Sequence, residues 1–254
     1  MNEEWILETR GLVKQFNEFV AVNGVSLRVA RGSIHTLIGP NGAGKTTVFN
    51  LLTRFLPVTR GEIRLRGENI TGSRPAEIAR RGMVRSFQVS AVFPALTALE
   101  NVRVALQRGL GTSFHFWRSE RSLAALDARA LELLAAVGLE GQRDTVTVEL
   151  PYGRKRALEL ATTLALEPEV MLLDEPTQGM GHEDVGRVVA LIQRVAKGRT
   201  VLMVEHNLSV VQDLASRVTV LARGQVLAEG TYAEVSQDPA VLEAYIGTPE
   251  GATA

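Results

Sequence analysis

A glycine-rich segment in the first fifth of the chain has the residue types and the spacing that bind phosphate groups. Residues 39–46 read Gly-Pro-Asn-Gly-Ala-Gly-Lys-Thr and fit the pattern G-x-x-x-x-G-K-[ST]. Glycines let the backbone curl so that successive N–H groups point at phosphate oxygens, and a helix that begins there adds the positive end of its dipole. Lys45 is therefore predicted to bridge the β- and γ-phosphates of a nucleotide, and Thr46 to bind Mg²⁺ through its hydroxyl group. An ordinary strand-to-helix turn is the alternative, and the glycine spacing does not match the dinucleotide pattern G-x-G-x-x-G.

A second candidate site is a pair of carboxylates at the end of an apolar run. Residues 170–173 are apolar, and Asp174 and Glu175 follow them directly. Because side chains alternate along a strand, the two carboxylates point in different directions and can have different roles. We predict that Asp174 holds Mg²⁺ through water and that Glu175 polarises the attacking water as a general base. A strand whose acidic end meets solvent is the alternative, but the phosphate-binding pattern upstream favours catalysis.

The elements around these residues indicate an α/β fold. A strand, Ile34–Ile38, precedes the glycine-rich segment, and a helical pattern over 47–52 follows it. Runs that are apolar on both faces and alternate with helices favour a parallel sheet that is buried on both sides, with a helical insertion in the middle of the chain. The other predicted elements are strands over 170–173, 200–204 and 218–222, and helices over about 123–137, 154–166, 183–197 and 207–216.

Composition excludes several kinds of protein. The 254 residues include 28 Lys and Arg and 28 Asp and Glu, so the net charge is zero, which disfavours nucleic-acid binding through general electrostatics. The absence of cysteine excludes disulfides and thiolate metal sites, and His35, His115 and His182 lack metal-ligand spacing. No run approaches the roughly 18 to 20 apolar residues of a membrane-spanning helix, and the acidic N-terminus lacks the features of a signal peptide. We therefore expect a soluble chain that is not secreted.

Three further features, taken in order along the chain, suggest a family. Gln88 opens the helical region, the segment 150–154 reads Leu-Pro-Tyr-Gly-Arg just before a helix, and His206 follows an apolar strand. Together with the segments at 39–46 and 170–175, they make the chain resemble the ATP-binding subunit of an ABC transporter. Residues 14–16, 87–102 and 228–245 and the insert around 108–125 resemble the longer ATPase of branched-chain amino-acid importers.

The resemblance implies a fold with three parts. They are a P-loop NTPase core with a mainly parallel sheet, an N-terminal antiparallel β-subdomain and an inserted α-helical subdomain. Residues 1–254 then form a single ATPase domain. The β-rich and catalytic core comprises about 1–88 and 168–254, and the helical subdomain comprises about 89–167, including the insert at about 108–125.

The resemblance also implies a role for each matched residue. Two ATPase subunits sandwich two ATP molecules, Phe16 stacks on adenine, Gln88 reaches Mg²⁺ and senses the transmembrane partner, and His206 contacts the γ-phosphate. The segment 150–154 is the signature that contacts ATP held by the other subunit. The implied catalytic residues are Glu175, His206 and Gln88; the ATP-binding residues are Phe16, Gly39, Pro40, Asn41, Gly42, Ala43, Gly44, Lys45, Thr46 and Thr47; the signature residues are Leu150, Pro151, Tyr152, Gly153 and Arg154; and the metal ligands are Thr46, Gln88 and Asp174.

The signature departs from the usual family pattern, L-S-G-G-Q. Pro151 has neither a hydroxyl nor a backbone N–H group, so the hydrogen bond expected from serine is missing, whereas Gly153 is retained. Arg154 is a candidate to supply charge to the phosphate in place of the glutamine amide. Gly181 replaces the acidic or amide residue that usually couples the two sites. We expect weaker contacts between subunits rather than loss of activity.

The function implied by the resemblance is ATP binding and hydrolysis that energises an ABC transporter, with import of branched-chain amino acids or related small polar solutes. The implied partners are a second ATPase subunit, as a homo- or heterodimer, transmembrane permease subunits and a solute-binding protein, with no nucleic acid. The implied location is peripheral, on the cytoplasmic side of the membrane. The alternatives are an exporter or a urea or amide importer of the same family, a non-transport ABC ATPase acting on DNA or ribosomes, and a degenerate regulatory subunit.

Overall fold

A computed structural model describes residues 4–86, 92–107 and 126–246. The predicted site residue Gln88 and the insert predicted at about 108–125 lie outside the described residues. The strands are β1 (Trp5–Phe16), β2 (Phe19–Val25), β3 (Arg28–Ala30), β4 (Ile34–Ile38), β5 (Arg60–Leu65), β6 (Glu68–Asn69), β7 (Met83–Ser86), β8 (Val170–Asp174), β9 (Thr200–Val204), β10 (Arg217–Ala222) and β11 (Gln225–Gly230). The α-helices are α1 (Lys45–Leu52), α2 (Pro75–Arg80), α3 (Ala98–Gln107), α4 (Asp127–Ala136), α5 (Tyr152–Leu164), α6 (His182–Val195), α7 (Leu208–Leu214), α8 (Tyr232–Val235) and α9 (Pro239–Ile246).

The first sheet is antiparallel and is built from the N-terminal strands. Its order is β2-β1-β5-β6, and β3 also pairs with β1. The long strand β1 therefore forms the centre of this sheet and pairs with three neighbours. This sheet corresponds to the antiparallel β-subdomain that the resemblance implied.

The second sheet brings the predicted site residues to one edge. Its order is β11-β10-β4-β9-β8-β7, and all pairs except β10 with β11 are parallel. Because β4, β8 and β9 run in the same direction, the segments that follow them meet at the same edge of the sheet. The prediction of a mainly parallel sheet is confirmed.

Both faces of this sheet are buried, as the apolar runs predicted. In β8, Val170 and Leu172 join an apolar cluster with α1 and the first sheet, whereas Met171 and Leu173 join a second cluster with helices α3 to α7. The side chains of a strand alternate between the two faces, so a strand covered on both sides needs an unbroken apolar run.

Helices α3, α4 and α5 pack on one another and follow β7 along the chain. The Arg103 guanidinium binds both carboxylate oxygens of Asp127, at 2.5 and 2.6 Å, and so ties α3 to α4. The helix predicted over 154–166 begins two residues earlier, because Pro151 occupies the N-cap position and its carbonyl accepts the first backbone hydrogen bonds. In the described ranges, no helix is long and apolar enough to cross a membrane.

A buried histidine in β4 makes the fold sensitive to acid. His35 is 0% exposed, and its Nε2 lies 2.8 Å from the Thr219 hydroxyl oxygen in the neighbouring strand β10. Burial lowers the pKa of His35 to about 4, partly opposed by the negative charge of Glu229. The unfolded chain takes up this proton near pH 6.5 and the folded chain only near 4. The stability that neutral His35 contributes is thus complete above pH 6.5 and is lost as the pH falls towards 4.

We expect the free energy of unfolding to fall by about 3 kcal/mol over this interval because of His35 alone. Urea unfolding at pH 7.5, 6.0 and 5.0 should show the decrease. The His35→Gln variant should lose most of the slope, whatever its stability at pH 7.5. An unchanged slope in that variant would assign the acid sensitivity to other groups.

Candidate functional site

The glycine-rich loop after β4 is held in a shape that only glycine permits at two positions. Gly39 has a φ angle of +148°, and a Cβ atom there would lie 2.1 Å from the Leu221 carbonyl oxygen. Gly44 has a φ angle of +98°, and its Cβ would lie 2.7 Å from the Ala21 carbonyl oxygen. The glycines of the motif therefore also let the loop pack against β10 and β2, and α1 begins directly after the loop.

Lys45 lies buried across this loop. Its Nζ donates hydrogen bonds to the carbonyl oxygens of Gly39, at 2.6 Å, and Pro40, at 3.0 Å. Burial lowers the pKa of Lys45, and the negative charges of Glu175 and Asp174 oppose this shift. The structure thus brings the predicted phosphate-binding ammonium group into the field of the predicted metal ligand and of the predicted general base. An ammonium group with carbonyl partners in a loop of this shape can take phosphate oxygens as its acceptors instead.

Asp174 ends β8 and is buried, and its partner is a residue that the sequence analysis missed. Arg85 of β7 donates from Nη2 to Oδ2 of Asp174 in a buried ion pair. The same guanidinium donates from Nη1 to the side-chain oxygen of Asn50 in α1, at 2.6 Å, and lies over the ring of Phe49 at 5.6 Å. The signal in the sequence was a charged residue that directly follows two apolar residues in a short strand just ahead of the helical region.

Glu175 differs from Asp174 in environment and in backbone conformation. It is half-buried, and its φ angle of +44° lies in the left-handed region, which is unusual for a residue with a side chain. Its backbone N–H donates to the Val204 carbonyl at 2.9 Å, which holds it against the end of β9. The two adjacent carboxylates therefore occupy separate environments, because β8 ends at Asp174 and the backbone turns at Glu175; strand alternation, the basis of the prediction, does not extend to Glu175. Left-handed residues of this kind cluster at functional sites.

His206 follows β9 and is held by the neighbouring buried carboxylate of Glu205. The Oε1 of Glu205 accepts the backbone N–H groups of His206, at 2.9 Å, and Asn207, at 3.1 Å. Its Oε2 accepts the hydroxyl of Thr177 at 2.7 Å, two residues beyond Glu175. Glu205 thus joins the segments that carry the predicted general base and the predicted γ-phosphate contact. The side chain of His206 is 56% exposed at this edge.

Phe16 ends β1 and has an exposed aromatic face. It is 41% exposed, and the Lys14 ammonium lies 4.7 Å from the centre of its ring. The hairpin that begins at Phe16 continues through β2, whose Ala21 carbonyl lies against Gly44 of the phosphate-binding loop. An accessible aromatic ring at the end of this hairpin can stack on a nucleobase.

The signature segment is placed at the start of α5. Leu150 is buried, Pro151 is the N-cap and Tyr152 is 48% exposed. The Tyr152 hydroxyl donates to the backbone carbonyl of Gln178, at 3.1 Å, in the segment that follows β8. The signature and the residues after the acidic pair therefore contact each other within one chain.

Arg154 is half-buried and has a partner within the chain. Its Nη1 donates to the carbonyl oxygen of Gly138, at 2.7 Å, just after the end of α4. Gly153 approaches α6 closely, since a Cβ there would lie 3.4 Å from the Asp184 carboxylate. Gly181 occupies the N-cap position of α6, where no side chain accepts a hydrogen bond from the first backbone N–H groups of the helix.

The residues predicted to hold Mg²⁺ have suitable donors. Thr46 provides a hydroxyl that is exposed at the start of α1, and Asp174 provides a carboxylate. These hard oxygen donors suit Mg²⁺, which proteins usually bind through one or two carboxylates together with substrate phosphates. Within the ranges that the structure describes, no group of three or more His, Cys, Asp and Glu side chains could hold a metal on its own.

Comparison with known families gives two matches along the chain. The family described as ABC transporter matches residues 22–178, which is more than half of the chain. The family described as branched-chain amino acid ATP-binding cassette transporter matches residues 225–251.

Characterised relatives align over nearly the whole chain. The high-affinity branched-chain amino acid transport ATP-binding protein BraF of Pseudomonas aeruginosa is 40% identical over 252 residues, which covers 95% of this chain and 98% of that protein. The corresponding protein LivG of Escherichia coli is 37% identical over 254 residues, with the same coverage.

Solved structures agree with these matches. The ADP conformation of an ATP-binding cassette of an ABC transporter is 32% identical, with a TM-score of 0.85 over 96% of this chain and 99% of that one. A nucleotide-free ATP-binding cassette is 31% identical, with a TM-score of 0.83 over 96% of this chain and 100% of that one. The chain therefore belongs to the ATP-binding family of ABC transporters and is a transport ATPase.

Proposed function

We propose that this chain binds Mg²⁺ and ATP at the loop after β4, and that ATP hydrolysis there energises import of branched-chain amino acids through separate membrane subunits. The observation that carries the ATPase site is the meeting of Lys45, Asp174 and Glu175 at one edge of the parallel sheet. We choose branched-chain amino acids as the transported solute because the relatives and the family that matches the C-terminus carry that name.

The nucleotide occupies the segment 39–47 in this proposal. Lys45 exchanges the carbonyl oxygens of Gly39 and Pro40 for oxygens of the β- and γ-phosphates, and the first N–H groups of α1 supply further donors. Phe16 stacks on adenine through its exposed ring face.

Hydrolysis is assigned to the residues that the resemblance matched. Thr46, Asp174 and Gln88 would hold the Mg²⁺ ion, which would neutralise charge on the phosphates when bound. Glu175 accepts a proton from the attacking water, and His206 donates a hydrogen bond to the γ-phosphate. Glu205 keeps the His206 backbone in place relative to the segment after Glu175.

The signature contributes to a second site, on the partner ATPase subunit. In this proposal, the segment 150–154 reaches ATP that is held by another ATPase subunit, in a homo- or heterodimer. Pro151 provides no donor there, and the Arg154 guanidinium is engaged with Gly138, so the contact relies on Gly153 and on the backbone at the start of α5. This arrangement favours a weaker contact between subunits than the usual family pattern gives.

A cleft on the described surface suits the membrane subunits. It encloses about 790 Å³ between α2 and β7 on one side and α3 and α5 on the other. Phe55 and Phe93 line it, and each is 53% exposed. We infer that permease segments dock here, with the chain bound peripherally on the cytoplasmic side and a solute-binding protein delivering solute outside.

The proposal keeps a single ATPase domain. Its core comprises about 1–88 and 168–254, and its helical subdomain comprises about 89–167.

The experiment is uptake by proteoliposomes that contain this chain, its membrane subunits and the solute-binding protein. With ATP inside, we expect uptake of labelled leucine that saturates and stops when ATP is replaced by ADP. Labelled urea and acetamide are the comparison solutes. Uptake of urea but not leucine would reassign the solute, and ATP-driven efflux would reassign the direction.

A further inference from the structure

The buried ion pair between Arg85 and Asp174 has a consequence for magnesium binding, which rests on the proposed role of Asp174 in holding Mg²⁺. The side chain of Asp174 is 1% exposed and that of Arg85 is 8% exposed. A carboxylate at this depth is costly without a compensating positive charge. In the structure, the Arg85 guanidinium supplies that charge.

Arg85 is fixed in place by contacts other than Asp174. Its Nη1 is bound to the side-chain oxygen of Asn50 at 2.6 Å, and the guanidinium lies over the ring of Phe49. Both residues belong to α1, the helix that begins at the phosphate-binding loop. These contacts hold the guanidinium beside the carboxylate independently of the ion pair itself.

The local charges are otherwise balanced. Lys45 is a second cation in the field of Asp174, and it also lies in the field of Glu175. One ammonium and one guanidinium thus face two carboxylates. A Mg²⁺ ion added at Asp174 would bring a surplus of positive charge, which the phosphates of a nucleotide would offset.

We propose that Arg85 and Mg²⁺ are competing cations for the buried carboxylate of Asp174. Arg85 stabilises the metal-free site and lowers its affinity for Mg²⁺ until nucleotide phosphates are present. Arg85 is thus a positioning residue that makes metal binding depend on nucleotide binding. Removing its charge should weaken the metal-free fold and strengthen the response to Mg²⁺.

The test measures the thermal unfolding midpoint of the full chain against Mg²⁺ concentration, once with Mg²⁺ alone and once with Mg²⁺ and ADP. The variants are Arg85→Met, which removes the charge, and Arg85→Lys, which keeps a charge but not the planar fork. Arg103→Met is the matched control, because it breaks an ion pair between α3 and α4 that includes none of the predicted metal ligands. If Arg85→Met cannot be purified, Arg85→Gln is judged by the same criterion.

In EDTA, we expect Arg85→Met to unfold several degrees below the parent chain. The Mg²⁺ concentration for half-maximal stabilisation should fall by at least about fivefold, with Mg²⁺ alone already effective. In Arg85→Lys, both the unfolding midpoint and the Mg²⁺ requirement should lie between those of the parent chain and Arg85→Met. Arg103→Met should lose stability without a change in Mg²⁺ dependence.

An unchanged Mg²⁺ dependence in Arg85→Met would make Arg85 purely structural and overturn the proposal. A higher Mg²⁺ requirement would overturn it as well, since Arg85 would then orient Asp174 for the metal rather than compete with it. If even the parent chain showed no joint effect of Mg²⁺ and ADP, the proposed magnesium role of Asp174 would itself be wrong. The parent chain alone would reveal that failure, so it can be distinguished from failure of the proposal about Arg85.

Discussion

The Glu175→Gln variant should bind ATP as the parent chain does but hydrolyse it about 10²- to 10⁴-fold more slowly, the range that general-base catalysis typically contributes. The glutamine amide keeps the size of the side chain but cannot accept a proton from water. Because Glu175 has a strained left-handed backbone just beyond β8, the new side chain should occupy the same position. ATP should then remain bound and hold two ATPase subunits together.

Phosphate release and light scattering in the presence of ATP measure both effects. Glu183→Gln is the matched control, since Glu183 is an exposed carboxylate in the first turn of α6. It should change neither the rate nor the assembly. Hydrolysis at the parent rate by Glu175→Gln would show that another group accepts the proton.

The Lys45→Ala variant should lose nucleotide affinity by about 10- to 100-fold, the size expected for charged hydrogen bonds to phosphate. The substitution removes the ammonium that now lies on the Gly39 and Pro40 carbonyls. It also removes one of the two positive charges near Asp174 and Glu175, so that the carboxylates repel the phosphates more strongly.

Binding of a fluorescent ADP analogue by titration measures this loss. Lys197→Ala is the control, because Lys197 is exposed after the end of α6. Lys45→Arg should restore part of the affinity, since it keeps the charge with different geometry. Equal affinity of Lys45→Ala and the parent would contradict the role of the loop after β4.

Local signals in the sequence were sufficient for the parts of the site that lie within one segment. The glycine-rich loop, the strand before it and the acidic end of β8 each follow from spacing and from periodicity over a few residues. The parallel direction of β4, β8 and β9 follows from short, mostly apolar runs that alternate with helices. These predictions needed no knowledge of which strands are neighbours.

The contacts that join the segments were not predictable in this way. Arg85 and Asp174 are 89 residues apart, and they meet because β7 and β8 pair in the sheet. Glu205 and Thr177 meet because β8 and β9 pair. Arg154 contacts Gly138 because α5 packs on α4, which no local pattern reveals. The role suggested for Arg154 was based on charge alone. In the structure, the Arg154 guanidinium donates to the Gly138 carbonyl oxygen.

The most direct test of the ATPase site is phosphate release from ATP by the chain assembled with its partner subunits, in Mg²⁺ and in EDTA. We expect release in Mg²⁺, none in EDTA, and little in assemblies that carry Lys45→Ala or Glu175→Gln. Release that persists in EDTA or survives both substitutions would contradict a catalytic site built on Lys45, Asp174 and Glu175.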